Sequence, residues 1–365
     1  MPELDLFKEA DRQLTICNAC RYCEGYCAVF PAIELRRDFE KGDVLYLANL
    51  CHDCRACYYA CMYSPPHEFA INIPKMMADV RVASYRRWSW PDLLARSFAN
   101  RWAGIALAIS TVALVVILSG ALVNPAKMFA SHRGPGSFYD VIPYLVIVIA
   151  GGTLFFSAIS IWLLGSVRFW LEAGAQPRRP LNIKGLAAAV GDALGLRNLK
   201  GGGPGCSYPE EKPSSVRRIY HYFVSWGFLS AFLSTSLAAI YQDWFGWLPP
   251  YSLRSGPVIL GSVGGGAMII GTIGLLWFKT RSDLAPAPTR GSSLDYIFLG
   301  ILGLVSLTGM LTLAFRSTPA MGSMLTVHLG LVAAMFVTAP YGKFVHFLYR
   351  SLALVKYHVE QNLLH

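Results

Sequence analysis

Charge is what this sequence is short of. Only 15% of its 365 residues are Asp, Glu, Lys or Arg, where a soluble domain carries about a quarter. The shortage is concentrated in runs of roughly twenty residues, the length a helix needs to cross the hydrocarbon layer. A water-soluble enzyme built around one core is thereby excluded. The apolar runs also lack paired acidic residues and any evident inverted repeat, which argues against a transporter with a metal-sensing domain. No GxGxxG dinucleotide signature is present. The first hundred residues are polar, Cys-rich and without a cleavable signal peptide, so the N-terminal domain is expected to stay inside.

What charge there is runs basic, with 32 Lys and Arg against 22 Asp and Glu. No basic stripe with interleaved aromatics lies outside the loops, so nucleic acid is not the partner. In a membrane chain such an excess marks cytoplasmic loops. Six spans are read at about 102–123, 142–164, 219–242, 256–278, 294–315 and 321–349. The last contains Pro340, expected to kink it or change its direction. The loop 166–218 holds Arg168, Arg178, Arg179, Lys184, Arg197, Lys200, Lys212, Arg217 and Arg218, and the next inner loop holds Lys279, Arg281 and Arg290. The outer loops carry only Lys127, Arg133, Arg254 and Arg316. The asymmetry obeys the positive-inside rule with both termini expected in the cytoplasm; a bacterial inner membrane is the expected location. Gly201, Gly202, Gly203 and Gly205 lack the strand and GK[ST] context of a phosphate cradle, and a flexible inner loop is expected there.

Eight of the nine cysteines lie before residue 85. Cys17, Cys20, Cys23 and Cys27 are spaced x2, x2, x3, and Cys51, Cys54, Cys57 and Cys61 repeat the spacing. Three closely spaced thiolates wrap one cubane while the fourth serves its neighbour. Hence Cys17, Cys20, Cys23 and Cys61 are assigned to one [4Fe-4S] cluster, and Cys51, Cys54, Cys57 and Cys27 to a second. Zinc sites favour paired CxxC knuckles, and disulfides do not persist in a reducing cytoplasm. Ala28 and Met62 stand where the bacterial ferredoxin signature has proline. With 23 residues between the two motifs, this region resembles the α-helical ferredoxin domain of succinate dehydrogenase iron-sulfur subunits and heterodisulfide reductases. Cys206 is read as a buried or tolerated thiol, and His52 and His67 as supporting or surface residues.

The fold class expected is all-α. A cytoplasmic α-helical ferredoxin-like domain with two clusters (1–84) leads through a basic linker (85–101, with Arg86, Arg87, Arg96 and Arg101) to a six-helix transmembrane bundle (102–349) and a cytoplasmic tail (350–365). Ionisable residues within spans are functional by default. His221 at the inner edge of the third span and His346 near the inner end of the sixth sit at equal depth, as the two axial ligands of one b-type haem would. His328 lies 18 residues before His346. On a regular helix the two share a face about 27 Å apart. His328 has no evident partner on the third span, where Ala231 to Thr235 stand opposite; His132 in the first outer loop is the one alternative. A second haem is left open, and a hydrogen-bonded or quinone-lining role is expected for His328. Lys343 and Arg350 are candidates to anchor quinone carbonyls or haem propionates. Lys75, Arg81, Arg86 and Arg87 are candidates to steer an acidic partner.

The last four spans and the second resemble the haem-carrying membrane subunit of respiratory nitrate reductases, whose final helix bears two histidines at this spacing. The whole chain is similar to the CitB-type (TcuB) tricarballylate utilisation proteins through its double cluster motif, CMYSPPHEFAINIP at 61–74, GCSYP at 205–209, RRIYHYFVSWGF at 217–228 and PYGKFVHFLYR at 340–350. The resemblance implies a membrane electron acceptor that reoxidises a separate FAD-dependent tricarballylate dehydrogenase on the cytoplasmic face, passing electrons through clusters and haem to quinone. The reverse direction, quinol oxidation feeding a soluble heterodisulfide-reductase-like enzyme, is the rival.

Overall fold

The computed structural model describes residues 3–98, 100–173, 183–203, 205–289 and 292–361. Arg178, Arg179 and Arg290, counted among the inner-loop charges, lie outside the described residues, as does the side chain of Arg101.

The N-terminal domain is built from α1 (Glu3–Cys20), α2 (Val29–Glu34), α3 (Lys41–Leu50), α4 (Ala56–Tyr59) and α5 (Ile73–Trp88), followed by the short α6 (Asp92–Ser97). α5 starts where Asn72 accepts a hydrogen bond from the Lys75 amide at 3.3 Å and Pro74 fills the first turn, a capped start that leaves few orphan donors. Leu45, Leu47, Leu50, Met77 and Val80 of α3 and α5 form the domain's core, each essentially inaccessible to solvent. Arg86 and Arg87, expected in a linker, are the last turn of α5.

Beyond it come α7 (Arg101–Leu122), α8 (Pro125–Met128), α9 (Tyr144–Glu172), α10 (Ile183–Leu194), α11 (Val216–Asp243), α12 (Gly256–Arg281), α13 (Ser292–Ala314), α14 (Met321–Thr338) and α15 (His346–Gln361). Among the described residues, α7, α9, α11, α12, α13 and α14 are long and apolar enough to cross a membrane. None of the most apolar stretch of α7 is buried in protein. A helix, with its backbone bonds satisfied internally, is the form in which so apolar and so little buried a segment is suited to a membrane. Apart from one short antiparallel pairing of Cys206–Ser207 with Pro213–Ser214, the described chain is helical, as the sequence predicts.

One helix runs from the membrane into the N-terminal domain. α9 has 29 residues, about 43 Å at the usual rise and well beyond a ~30 Å hydrocarbon core. Its end, Phe169 and Ala173, is fully buried in the N-terminal domain's core.

The sixth span differs from the expected 321–349. α14 ends at Thr338, the chain turns through Pro340, a 3-10 turn spans Lys343–Val345, and α15 starts at His346. Proline lacks the amide hydrogen a continuing helix needs and disfavours helical backbone before it. Residues 346–361, expected to end a span and form a tail, instead pack on α3, α9 and α10: Tyr349, Ala353 and Leu354 are buried in the cluster domain's core. Tyr349 meets Tyr85, Trp88 and Phe169 at centroid distances of 5.9, 4.9 and 6.1 Å. Arg36 binds Asp43 at 2.5 Å and Glu360 at 2.7 Å, tying α15 to α3.

The glycine loop is likewise not free. A Cβ on Gly201 would stand 2.1 Å from the Gly205 carbonyl oxygen, and one on Gly205 2.6 Å from the Ser214 backbone. Both have positive φ, where side chains are strained. The glycines let the chain fold back so that Cys206 and Tyr208 pack against Cys54 and Phe278.

Candidate metal centres and the histidine pair

The cysteines converge because turns follow helix ends. Cys17 and Cys20 close α1, Cys51 directly follows α3, and Cys57 lies in α4. Arg21, Asp53 and Arg55 adopt left-handed backbone, with φ of 56°, 53° and 64°, and swing the chain sharply between successive cysteines. Two cavities result. One is lined by Cys17, Cys20, Cys23 and Cys61, the other by Cys27, Cys51 and Cys54, with Cys57 reaching both.

The thiols feel one another within these groups, and Cys23 also acts across to Cys27 and Cys57. Burial pushes Cys17 up to about 12, with Cys61, Cys23 and Cys20 adding to it. Burial likewise raises Cys27 and Cys57 well above the usual thiol value, with Cys54 the next cause. Iron would have to displace these protons. The donor set suits an iron–sulfur cluster: five thiols line the first cavity and four the second, Cys57 being counted in both. A cluster spreads its thiolates over several irons. Backbone donors reach sulfur as well, Asp53 N–H to Cys51 Sγ at 3.5 Å.

His221 on α11 and His346 at the start of α15 stand side by side, ring centroids 6.2 Å apart and planes at 77°. An imidazole that binds a metal would hold its ring centre ~3 Å from it, so two rings at this spacing could hold one iron between them. His346 Nδ1 donates to the Lys343 carbonyl at 2.7 Å. His221 Nδ1 lies 3.0 Å from Ser225 Oγ, whose hydroxyl proton goes to the His221 carbonyl. Both rings therefore carry hydrogen on Nδ1 and keep the Nε2 lone pair for a metal.

The remaining expected residues fall elsewhere. His328 turns toward α13, where its Nδ1 is 3.1 Å from Thr308 Oγ1, and its ring occupies the space beside Gly309. With the helix broken at Pro340, His328 and His346 share no face. His132 donates from Nε2 to the Lys127 carbonyl within its own loop, at 2.7 Å. Ala231, where a second histidine would be expected on α11, lies where that helix meets Gly264 of α12. Lys343 is taken by Asp295 at 2.9 Å, and Asp295 also binds Lys279 at 2.6 Å. Arg350 donates to the Cys51 carbonyl oxygen at 2.8 Å, spanning from the turn after His346 to the second cavity. Burial and neighbouring Arg81 lower Arg350 to about 10, which leaves it a cation at neutral pH.

His52 lines the second cavity, buried, with Nδ1 2.8 Å from the Leu50 carbonyl. Burial, then Arg350, pushes its ring well below the usual histidine value, so it is neutral. His67 sits at the surface among Tyr63 and Phe69. Arg81, expected to steer a partner, is buried instead and donates to the Ala48 and Cys51 carbonyls at 2.8 and 2.5 Å. Sequence reasoning missed Arg55 and Asp295 altogether and counted Arg217 only among the inner-loop charges. It also left Cys206 without a neighbour, although its thiol is buried within hydrogen-bonding reach of Cys54; the shared GCSYP stretch was the available signal.

These features define a multi-pass helical membrane protein whose Fer4-like, cysteine-rich domain points to iron–sulfur clusters and electron transfer. Residues 10–87 match the family model described as the citrate utilization protein B Fer4-like domain, and residues 97–363 match that of citrate utilization protein B. The citrate utilization protein B of Escherichia coli is 40% identical over 361 residues, covering 97% of this chain and 92% of the relative. No solved structure matches. The chain belongs to the citrate utilization protein B family.

Proposed function

We propose that this protein carries electrons, one at a time, from the reduced flavin of a partner dehydrogenase to the membrane quinone pool in the utilisation of citrate or a related tricarboxylate such as tricarballylate. Both termini and the cysteine-rich domain then face the cytoplasm of a bacterium, where an FAD-dependent dehydrogenase docks. The observation that carries this reading is continuity: the two cysteine-lined cavities share Cys57, and Arg350 joins the Cys51 carbonyl to the helix that presents His346 beside His221.

Two [4Fe-4S] clusters and one haem b would supply one-electron chemistry that links a two-electron flavin to a two-electron quinone. The chain's own residues do the rest. Cys17, Cys20, Cys23 and Cys61 would hold the outer cluster and Cys27, Cys51, Cys54 and Cys57 the inner one. The Lys343 carbonyl and Ser225 fix the ring orientation and tautomer of His346 and His221. Tyr349, Trp88 and Phe169 pack dry around the junction between domain and bundle.

The test is a visible spectrum with iron, acid-labile sulfide and haem quantitation on the anaerobically purified protein, followed by reduction with a reduced flavoprotein or a quinol analogue. Eight irons, eight sulfides and a six-coordinate haem reduced by the flavoprotein support the reading. A colourless, zinc-containing preparation refutes it. Reduction by quinol alone reverses its direction.

A further inference from the structure

The two cysteine cavities differ in charge. No charged side chain lines the cavity of Cys17, Cys20, Cys23 and Cys61. Around the other, four arginines gather. Arg55 lines it with a side chain only 3% exposed. Arg81 and Arg350 both donate to the Cys51 carbonyl oxygen, at 2.5 and 2.8 Å, and Arg217 donates to the Asp53 carbonyl oxygen. Tyr208 lies between Arg55 and Arg217, 4.4 Å from each guanidinium. Two carboxylates face them: Asp53, 3.7 Å from Arg55 and 4.0 Å from Arg217, and Asp283, whose backbone carbonyl accepts from Arg55 at 3.0 Å and whose carboxyl is held down chiefly by the Ala285 amide and partly by that cation.

The arginines come from four separate elements: the residue before α4, then α5, α11 and α15. Helix periodicity therefore does not explain the gathering. Guanidinium groups brought together out of water repel, and the arrangement is favourable only around an anion. A cubane with four thiolate ligands is an anion that gains a further negative charge on reduction, and nearby positive charge raises its potential. Burial acts in the opposite sense: Cys51 and Cys54 are buried, whereas Cys20 is exposed, and desolvation disfavours the more highly charged state. The charge effect wins here, because the guanidiniums lie close to the cavity in the low-dielectric medium that strengthens them.

We propose that Arg55, Arg81, Arg217 and Arg350 set the reduction potential of the centre held by Cys27, Cys51, Cys54 and Cys57 above that of the centre held by Cys17, Cys20, Cys23 and Cys61, so that electrons collect beside His221 and His346. The inference rests on the electron-carrier reading and gives it a direction. In the step concerned the outer centre loses one electron and the inner centre gains it; no bond forms or breaks and no proton moves. The reductant of the outer centre is the partner's reduced flavin.

The experiment is a redox titration followed by electron paramagnetic resonance on the full-length protein in nanodiscs. Cys20→Ser identifies the outer centre's signal by altering it. In the unaltered protein the inner centre is reduced first. Arg81→Gln and Arg217→Gln each lower its potential by about tenfold in the one-electron equilibrium, ~59 mV, with the outer centre shifted far less. Arg81→Lys and Arg217→Lys, which keep the charge, restore most of the loss. Arg217, with a side chain 18% exposed, provides the answer if Arg81→Gln does not fold. An inner centre reduced last, equal shifts at both centres, or lysine variants as low as the glutamines overturn the proposal while leaving the electron-carrier reading intact. A protein without any reducible iron–sulfur signal overturns both.

Discussion

His221 and His346 face each other with ring centroids 6.2 Å apart, although one sits near the start of a membrane helix and the other opens a helix that belongs to the cysteine domain. Each has its Nδ1 committed to a local oxygen, so Nε2 is the free atom on both rings. His221→Ala and His346→Ala should each abolish the six-coordinate haem band in a reduced-minus-oxidised spectrum. His328→Ala, which removes a ring bonded to Thr308, should leave that band in place. A normal band in either of the first two variants refutes the pairing.

Asp295 stands between two ammonium groups, 2.6 Å from Lys279 and 2.9 Å from Lys343, with the three side chains 15–27% exposed. Asp295→Asn leaves both cations without a counter-charge. Removing one partner of a buried pair costs ~3–5 kcal/mol, and partial exposure brings the expectation to roughly 2–4 kcal/mol. Lys343→Met keeps the Lys279–Asp295 pair and should cost about 1 kcal/mol. Retention of haem absorbance on heating ranks the two. Greater damage from Lys343→Met would show that Lys343 has a partner besides Asp295.

The helices α11 and α12 approach so closely that a Cβ on Gly271 would lie 2.7 Å from Val224 Cγ2 and 2.9 Å from the Tyr220 carbonyl oxygen, the close packing that small residues allow in membranes. Overpacking of this kind costs ~1–3 kcal/mol. It should also push α11 away near His221. Gly271→Ala is therefore expected to lower haem occupancy without touching a ligand. Gly266→Ala, whose Cβ meets nothing within 4 Å, should not. Equal haem content in the two variants would separate the α11–α12 contact from the histidine geometry.

The sequence was most legible where chemistry is local. The spacing of the cysteines puts seven of the eight at the cavity they line, with Cys57 at both, because a shared centre asks for short intervals on the chain. Equal depth was enough to bring His221 and His346 together. Counting turns failed between His328 and His346, since Pro340 breaks the helix that the count assumed. The arginines around Cys51, the Lys343–Asp295 pair and the Cys206–Cys54 neighbourhood join residues far apart in the chain, and no periodicity announces them. Hydropathy also read the start of α15 as membrane, whereas Tyr349, Ala353 and Leu354 bury the same apolar character inside a protein core.

Tyr349 is buried among Tyr85, Trp88 and Phe169, so one side chain joins α5, α9 and α15. Truncating a large buried aromatic costs ~3–5 kcal/mol. The same helix carries His346 and Arg350, so loosening it should disturb the histidine pair and the inner cysteine cavity together. Tyr349→Ala is expected to lose haem and to release iron faster to a chelator, while protease cuts appear near residues 346–361. Ser351→Ala, which removes a hydroxyl bonded within α15 to the Phe347 carbonyl at 2.7 Å, serves as the control. If Tyr349→Ala keeps haem and iron as firmly as that control, α15 is not the element that couples the cluster domain to the membrane bundle.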